Sequence, residues 1–217
     1  MCVARDITVV VGDQGDSGRS GGGHALPSVT LGEASNALLL GSPMDARTLE
    51  TGLALAAGDR PADASVLWET MLNSPREVLD IWDEHFPTRP ARLRVVLVGD
   101  GLSDTAGASA VETDSIADPT DLVTLGVRLL ETVSTWESEG AEVRLRFDSF
   151  TPLLQYVAPR SLAQFLHVLA NRLAVAGVTA HFHLDPMAHD SQTVHALGSI
   201  FDTQVRVEDE EVSLTRR

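Results

Sequence analysis

The sequence predicts a three-layer α/β domain with a mostly parallel central sheet and helices on both faces. Three observations carry this. Short apolar runs of strand length alternate with longer stretches whose apolar residues recur at helical spacing, from Asn36 to Phe201. A glycine-rich stretch, Gly12-Asp-Gln-Gly-Asp-Ser-Gly-Arg-Ser-Gly-Gly-Gly-His24, separates the first residues from that alternation. Finally, 217 residues with a hydrophobic share of 43 % suffice for one domain with a sizeable core. Parallel neighbours need a crossover connection, and repeated strand–helix units supply it.

Residues 1–25 read as a flexible arm and linker with a β-like run at Ile7–Val11, and residues 26–217 as the α/β domain. Ala37–Leu40 predicts a buried first strand, and Thr48–Ala57 a helix ended near Gly58. Ala64–Thr70 is a second strand. Ser74-Pro75 then starts a helix to about Phe86, with serine at the N-cap and proline in the first turn. Arg94–Val98 is a third strand, and Gly99–Thr120 reads as a long loop without internal pattern. Asp121–Ser138 carries Leu122, Leu125, Leu129, Val133 and Trp136 on one helical face. Val143–Phe147 is a fourth strand, Ser161–Ala176 an amphipathic helix, Val178–Leu184 a fifth strand and Asp190–Phe201 a further helix. Gln204–Val207 and Val212–Leu214 form a terminal hairpin.

The formal net charge is −15, and all 16 basic residues are arginine. A strongly acidic surface without lysine suits a cytoplasm of very high salt, where exposed charges are screened within a few ångströms. The expected source is a halophile. The same excess argues against nucleic acid or an anionic membrane as partner, because no basic footprint is present. No apolar run is long enough to span a bilayer, and Met1–Asp6 lacks the basic region and apolar core of a signal peptide. A cytoplasmic location is the expectation. Cys2 is the single cysteine and forms no internal disulfide.

The stretch Gly41-Ser-Pro-Met-Asp-Ala-Arg-Thr48 follows the first strand and opens the first helix. It is a near match to the phosphate-binding pattern G-x-x-x-x-G-K-[ST]. Gly41 takes the first glycine and Thr48 the hydroxyl, while Ala46 replaces the second glycine and Arg47 the lysine. Ala46 adds a Cβ where the chain is expected to need positive φ. Arg47 keeps the charge as a planar fork that does not reproduce a compact ammonium. Asp45 and Glu50 add negative charge where a triphosphate would sit. A bland strand–turn–helix connection fits the same residues.

The fourth strand, Arg144-Leu-Arg-Phe-Asp148-Ser149-Phe-Thr-Pro-Leu-Leu154, resembles the Walker B segment of RecA-like ATPases, particularly the KaiC-like branch. The strand Thr179–Asp185 and the tail from His189-Asp190 to Ile200-Phe201-Asp202 continue the resemblance. Ile116–Gly126 is similar to a segment of haloarchaeal relatives, and the likeness spans most of residues 36–217. It implies a RecA-like P-loop fold, with Asp148 holding Mg²⁺ through water and Gly41, Ser42, Ala46, Arg47 and Thr48 as the remnant nucleotide loop. It also implies departures. The lysine and second glycine are replaced, and no clear catalytic glutamate follows the second strand, with Glu69 nearest and Glu77 in the next helix. Phosphoryl transfer without a lysine and a positioned base loses its charge stabilisation and its oriented water. The implied protein is a nucleotidase-dead relative with no catalytic residues, acting as a binding or regulatory module toward a protein partner or itself. The first alternative keeps ATP and Mg²⁺ on Arg47, Thr48 and Asp148 as a residual binder or slow ATPase.

His181-Phe-His183-Leu-Asp185 supplies the second alternative, a metal-dependent hydrolase. On a strand the three polar residues share a face and could present two imidazoles and a carboxylate to a metal. The same alternation fits histidines that simply meet a neighbouring element.

Overall fold

The computed structural model describes residues 27, 29, 31, 36–99, 111–148, 150–208 and 211–216. The expected arm at 1–25 lies outside the described residues, as does Ser149. Among the described residues eight strands form one sheet: β1 (Asn36–Leu40), β2 (Ser65–Thr70), β3 (Arg92–Val98), β4 (Glu112–Ile116), β5 (Val143–Phe147), β6 (Thr179–Leu184), β7 (Thr203–Glu208) and β8 (Glu211–Arg216). Their order is β4-β3-β2-β5-β6-β1-β7-β8. Every pairing is parallel except β7 with β8, the expected terminal hairpin.

The helices cover both faces. On one side α1 (Ala46–Ala57) and α2 (Pro75–His85) bury Leu53, Ala56, Val78 and Trp82 against Val66, Trp68 and Val95 of the sheet. On the other, α3 (Leu122–Ser138), the single turn α4 (Phe150–Leu153), α5 (Pro159–Val175) and α6 (Ser191–Gly198) cover the larger core. Phe147, Phe150, Phe182 and Phe201 form a ring cluster there, with neighbouring centroids 4.9–6.2 Å apart. Tilted and edge-on rings at such spacing add to the burial of their apolar area. Strands buried on both faces read as continuous apolar runs, which is why β1 and β3 are legible.

Two expectations need correction. The stretch Gly99–Thr120 is not all loop: Glu112-Thr-Asp-Ser-Ile116 forms β4, paired in parallel with β3. Among the described residues it sits at the sheet edge, bonded on one side, and its residues are mostly exposed, so its sequence carries no apolar signal. The last helix ends at Gly198 rather than Phe201. Gln204 donates to the Gly198 carbonyl, and Phe201 leaves the helix to enter the core.

Candidate functional site

β1 and β6 are neighbours, and the helices that follow them lie on opposite faces of the sheet. Their carboxyl ends flank the crevice in which open α/β sheets bind ligands. Gly41 stands there. Its N–H donates to the Leu184 carbonyl at 3.3 Å, and its own carbonyl lies 3.0 Å from Nε2 of the buried His183. A Cβ on Gly41 would come within 2.4 Å of Thr48 Oγ1, so only glycine lets α1 start this close to β1.

The loop between them is closed on itself. The Met44 N–H donates to Ser42 Oγ at 3.2 Å and the Asp45 N–H to the Ser42 carbonyl at 3.1 Å. Asp45 is the N-cap of α1, and its carboxylate accepts from the Arg47 N–H at 2.9 Å. The helix N-terminus, where a bound phosphate would find free N–H groups and the positive dipole end, holds the protein's own carboxylate. Ala46 is the first helical residue, so the expected demand for positive φ does not arise there. The half-buried Arg47 lies 4.0 Å from Glu50, and Thr48 is buried with no partner for its hydroxyl among the described residues.

Asp148 ends β5 and is buried. The strand register sets Trp68, Arg146 and His181 in one row beneath α1. Arg146 Nε donates to both Asp148 oxygens, at 3.0 and 2.8 Å, and Trp68 Nε1 donates to Asp148 Oδ2 at 2.8 Å. The Arg146 guanidinium also lies 4.3 Å from the Trp68 ring centroid, a cation–π contact in a buried site. It fits because α1 has a glycine opposite: a Cβ on Gly52 would meet Arg146 Nη1 at 2.7 Å. Arg144, two residues earlier, reaches the Leu55 carbonyl and passes beside Gly58. Arg144 thus bonds α1 to β5, while the Arg146 guanidinium packs against Gly52 of the same helix. Neither Arg146 nor Trp68 stands out as a site residue in the sequence, although period-two alternation puts Arg146 on the face of Asp148.

His181 is fully buried. Burial, then the charges of Arg146, His183 and Arg144, hold its imidazole well below the ordinary 6.5, so it is neutral. Asp185 has left the strand: it caps the short turn at 186–188 by accepting from the Met187 N–H, and its own N–H donates to Thr151 Oγ1. His181, His183 and Asp185 are therefore not gathered around one point, and no group of three metal-ligating side chains occurs among the described residues. Glu77 is occupied too, accepting from the Ser74 N–H and hydroxyl in a capping box that holds its carboxyl below the usual range. Glu69 is buried at the end of β2.

Fold and site define an α/β protein with a mostly parallel sheet whose strand-end loop and strand-end carboxylate bond to the protein's own groups. Residues 34–207 match DUF7504, a family of unknown function, and the chain belongs to that family. A search of curated proteins returns no match. A solved structure from Pyrococcus horikoshii OT3, described as a structural study of Project ID PH0250, is similar in fold. It shares 11 % identity over 85 % of this chain and 86 % of that one, with a TM-score of 0.54. No helix among the described residues is long and apolar enough to cross a membrane.

Proposed function

We propose that this chain is a RecA/KaiC-like domain that has lost nucleotide chemistry and serves as a non-catalytic protein-interaction or regulatory module. One observation carries the reading: both groups that would handle Mg²⁺-ATP are already bonded within the protein. A phosphate at the start of α1 would have to displace the Asp45 carboxylate from the Arg47 N–H. A magnesium ion at Asp148 would have to displace Arg146 and Trp68 from a buried carboxylate. Breaking such a pair strands a desolvated guanidinium, at a cost of several kcal/mol. Arg47 in place of lysine, and Glu77 tied into a helix cap, point the same way.

The test is calorimetric titration of Mg²⁺-ATP into the protein in molar KCl, with Arg47→Ala as control. The expected result is no saturable heat up to millimolar ATP. Saturable heat that disappears in Arg47→Ala would overturn the proposal in favour of a nucleotide binder using Arg47, Thr48 and Asp148.

A further inference from the structure

We propose that the α6 side of the carboxyl-end crevice binds a small oxyanion, a carboxylate or a phosphate monoester, on Arg206 with the imidazoles of His189 and His195. The inference goes beyond the loss of nucleotide chemistry and stands on different residues. The crevice at the ends of β1 and β6 has two sides, because the helices that follow these strands lie on opposite faces of the sheet. On the α1 side, Asp45, Asp148 and His183 are bonded to the protein's own groups. On the α6 side a cleft of about 390 Å³ stays open. That volume suits a small metabolite, since ligand sites start at about 300 Å³.

Two elements build its walls. After β6 the chain turns at Pro186, reaches His189 and enters α6, whose Ser191, Val194 and His195 line the cleft. From the sheet come Gln204 and Arg206 of β7. Register fixes the side on which these two stand. They pair with Leu38 and Leu40 of β1, which belong to the core on the α6 face, while Val205 between them packs on the other face. Across the hairpin, Thr215 and Ser213 stand opposite Gln204 and Arg206, so the same face continues in hydroxyl groups.

Charge selects the class of ligand. In a chain of −15, this cleft is lined by a guanidinium and two imidazoles, and by no carboxylate among the described residues. The acids next to it in the chain are occupied. Asp185 accepts from the Met187 N–H, Asp190 from the N–H and hydroxyl of Thr193, and Glu208 from Arg206 Nη1 at 2.7 Å. The Glu208 bond takes one nitrogen of the guanidinium and leaves its other N–H groups for a second acceptor. A metal cation does not fit: no group of three metal-ligating side chains occurs among the described residues, and a guanidinium repels one. A carboxylate or a phosphate matches the planar fork of Arg206, and the imidazoles and the Ser191 hydroxyl offer further donors. Pro186 and Val194 leave an apolar edge for the ligand's carbon body.

The test follows the histidine ring signals of the full chain by NMR at constant pH, while inorganic phosphate or succinate is added to tens of millimolar. The His189 and His195 signals should move saturably, and those of His181 and His183 on the α1 face should stay in place. Saturation by phosphate alone identifies a phosphate ester, by succinate alone a carboxylate, and by both the shared oxyanion chemistry. Arg206→Gln removes the charged donor and should weaken binding about tenfold or more. Its side chain is 40 % exposed, so the variant should melt like the wild type. If it does not fold, His195→Gln, exposed on α6, takes its place with His189 as the reporter. No saturable movement with either anion overturns the proposal, and so does movement that the variant leaves unchanged. The α1 side is judged separately: Mg²⁺-ATP heat that vanishes in Arg47→Ala while the phosphate shifts persist sinks only the proposed loss of nucleotide chemistry.

Discussion

At the scale of single residues, Asp148 is a strand-end carboxylate bonded to the protein's own groups. It is buried, and its two oxygens are shared between Arg146 Nε and Trp68 Nε1. Asp148→Ala would leave the guanidinium buried and unpaired, a loss of about 3–5 kcal/mol in denaturant unfolding. Replacing Arg146 and Asp148 together by leucine should cost less, because no charge is then stranded; an equal or larger loss would show that the pair itself is not what matters. His181 gives a pH dependence. Its native pKa lies well below the 6.5 of the unfolded chain, so only the unfolded chain binds the proton as pH falls below that value. Its contribution is fully present above about pH 6.5 and is lost below it at about 1.4 kcal/mol per pH unit until the native pKa is reached. Unfolding followed between pH 7.5 and 5 should therefore be shallower in pH for His181→Leu than for the wild type. Parallel slopes would contradict the assignment.

At the scale of elements, α1 depends on two small residues. Gly52 and Gly58 make room for the guanidinium groups of Arg146 and Arg144, of which Arg144 bonds to the Leu55 carbonyl and so ties the helix to β5. A glycine inside a helix ordinarily lowers stability relative to alanine by up to about 1 kcal/mol. Here the sign reverses: Gly52→Ala drives a methyl to 2.7 Å from a buried nitrogen and should destabilise by about 1–3 kcal/mol. A raised melting temperature in that variant would refute the packing argument. The propensity rule alone predicts stabilisation, so the measurement separates the two.

At the scale of the whole molecule, 31 acidic residues against 16 arginines make self-repulsion a global term. Individual surface ion pairs such as Arg76–Asp80 and Arg89–Asp83 contribute little each, and salt screens the remainder. The melting temperature should therefore fall as KCl is lowered from molar concentration to about 0.1 M, where the screening length reaches about 10 Å. A calorimetric scan with an unchanged midpoint would remove the high-salt reading of the composition.

The alternation of strands and helices, the Ser74 N-cap and the parallel sheet were legible in the chain, because period, capping residues and crossover length are local properties. So was the phosphate-loop likeness, since Gly41 to Thr48 is one contiguous stretch. Edge strand β4 was not, because polar residues at a sheet edge meet no apolar requirement. The fate of the site was beyond the sequence altogether. That Asp45 fills the start of α1, that Trp68 reaches Asp148 from a strand 80 residues earlier, and that Asp185 turns away from His181 and His183 all depend on register and loop closure. Residue type sets which groups can carry charge. Only the packed fold decides which of them already have a partner.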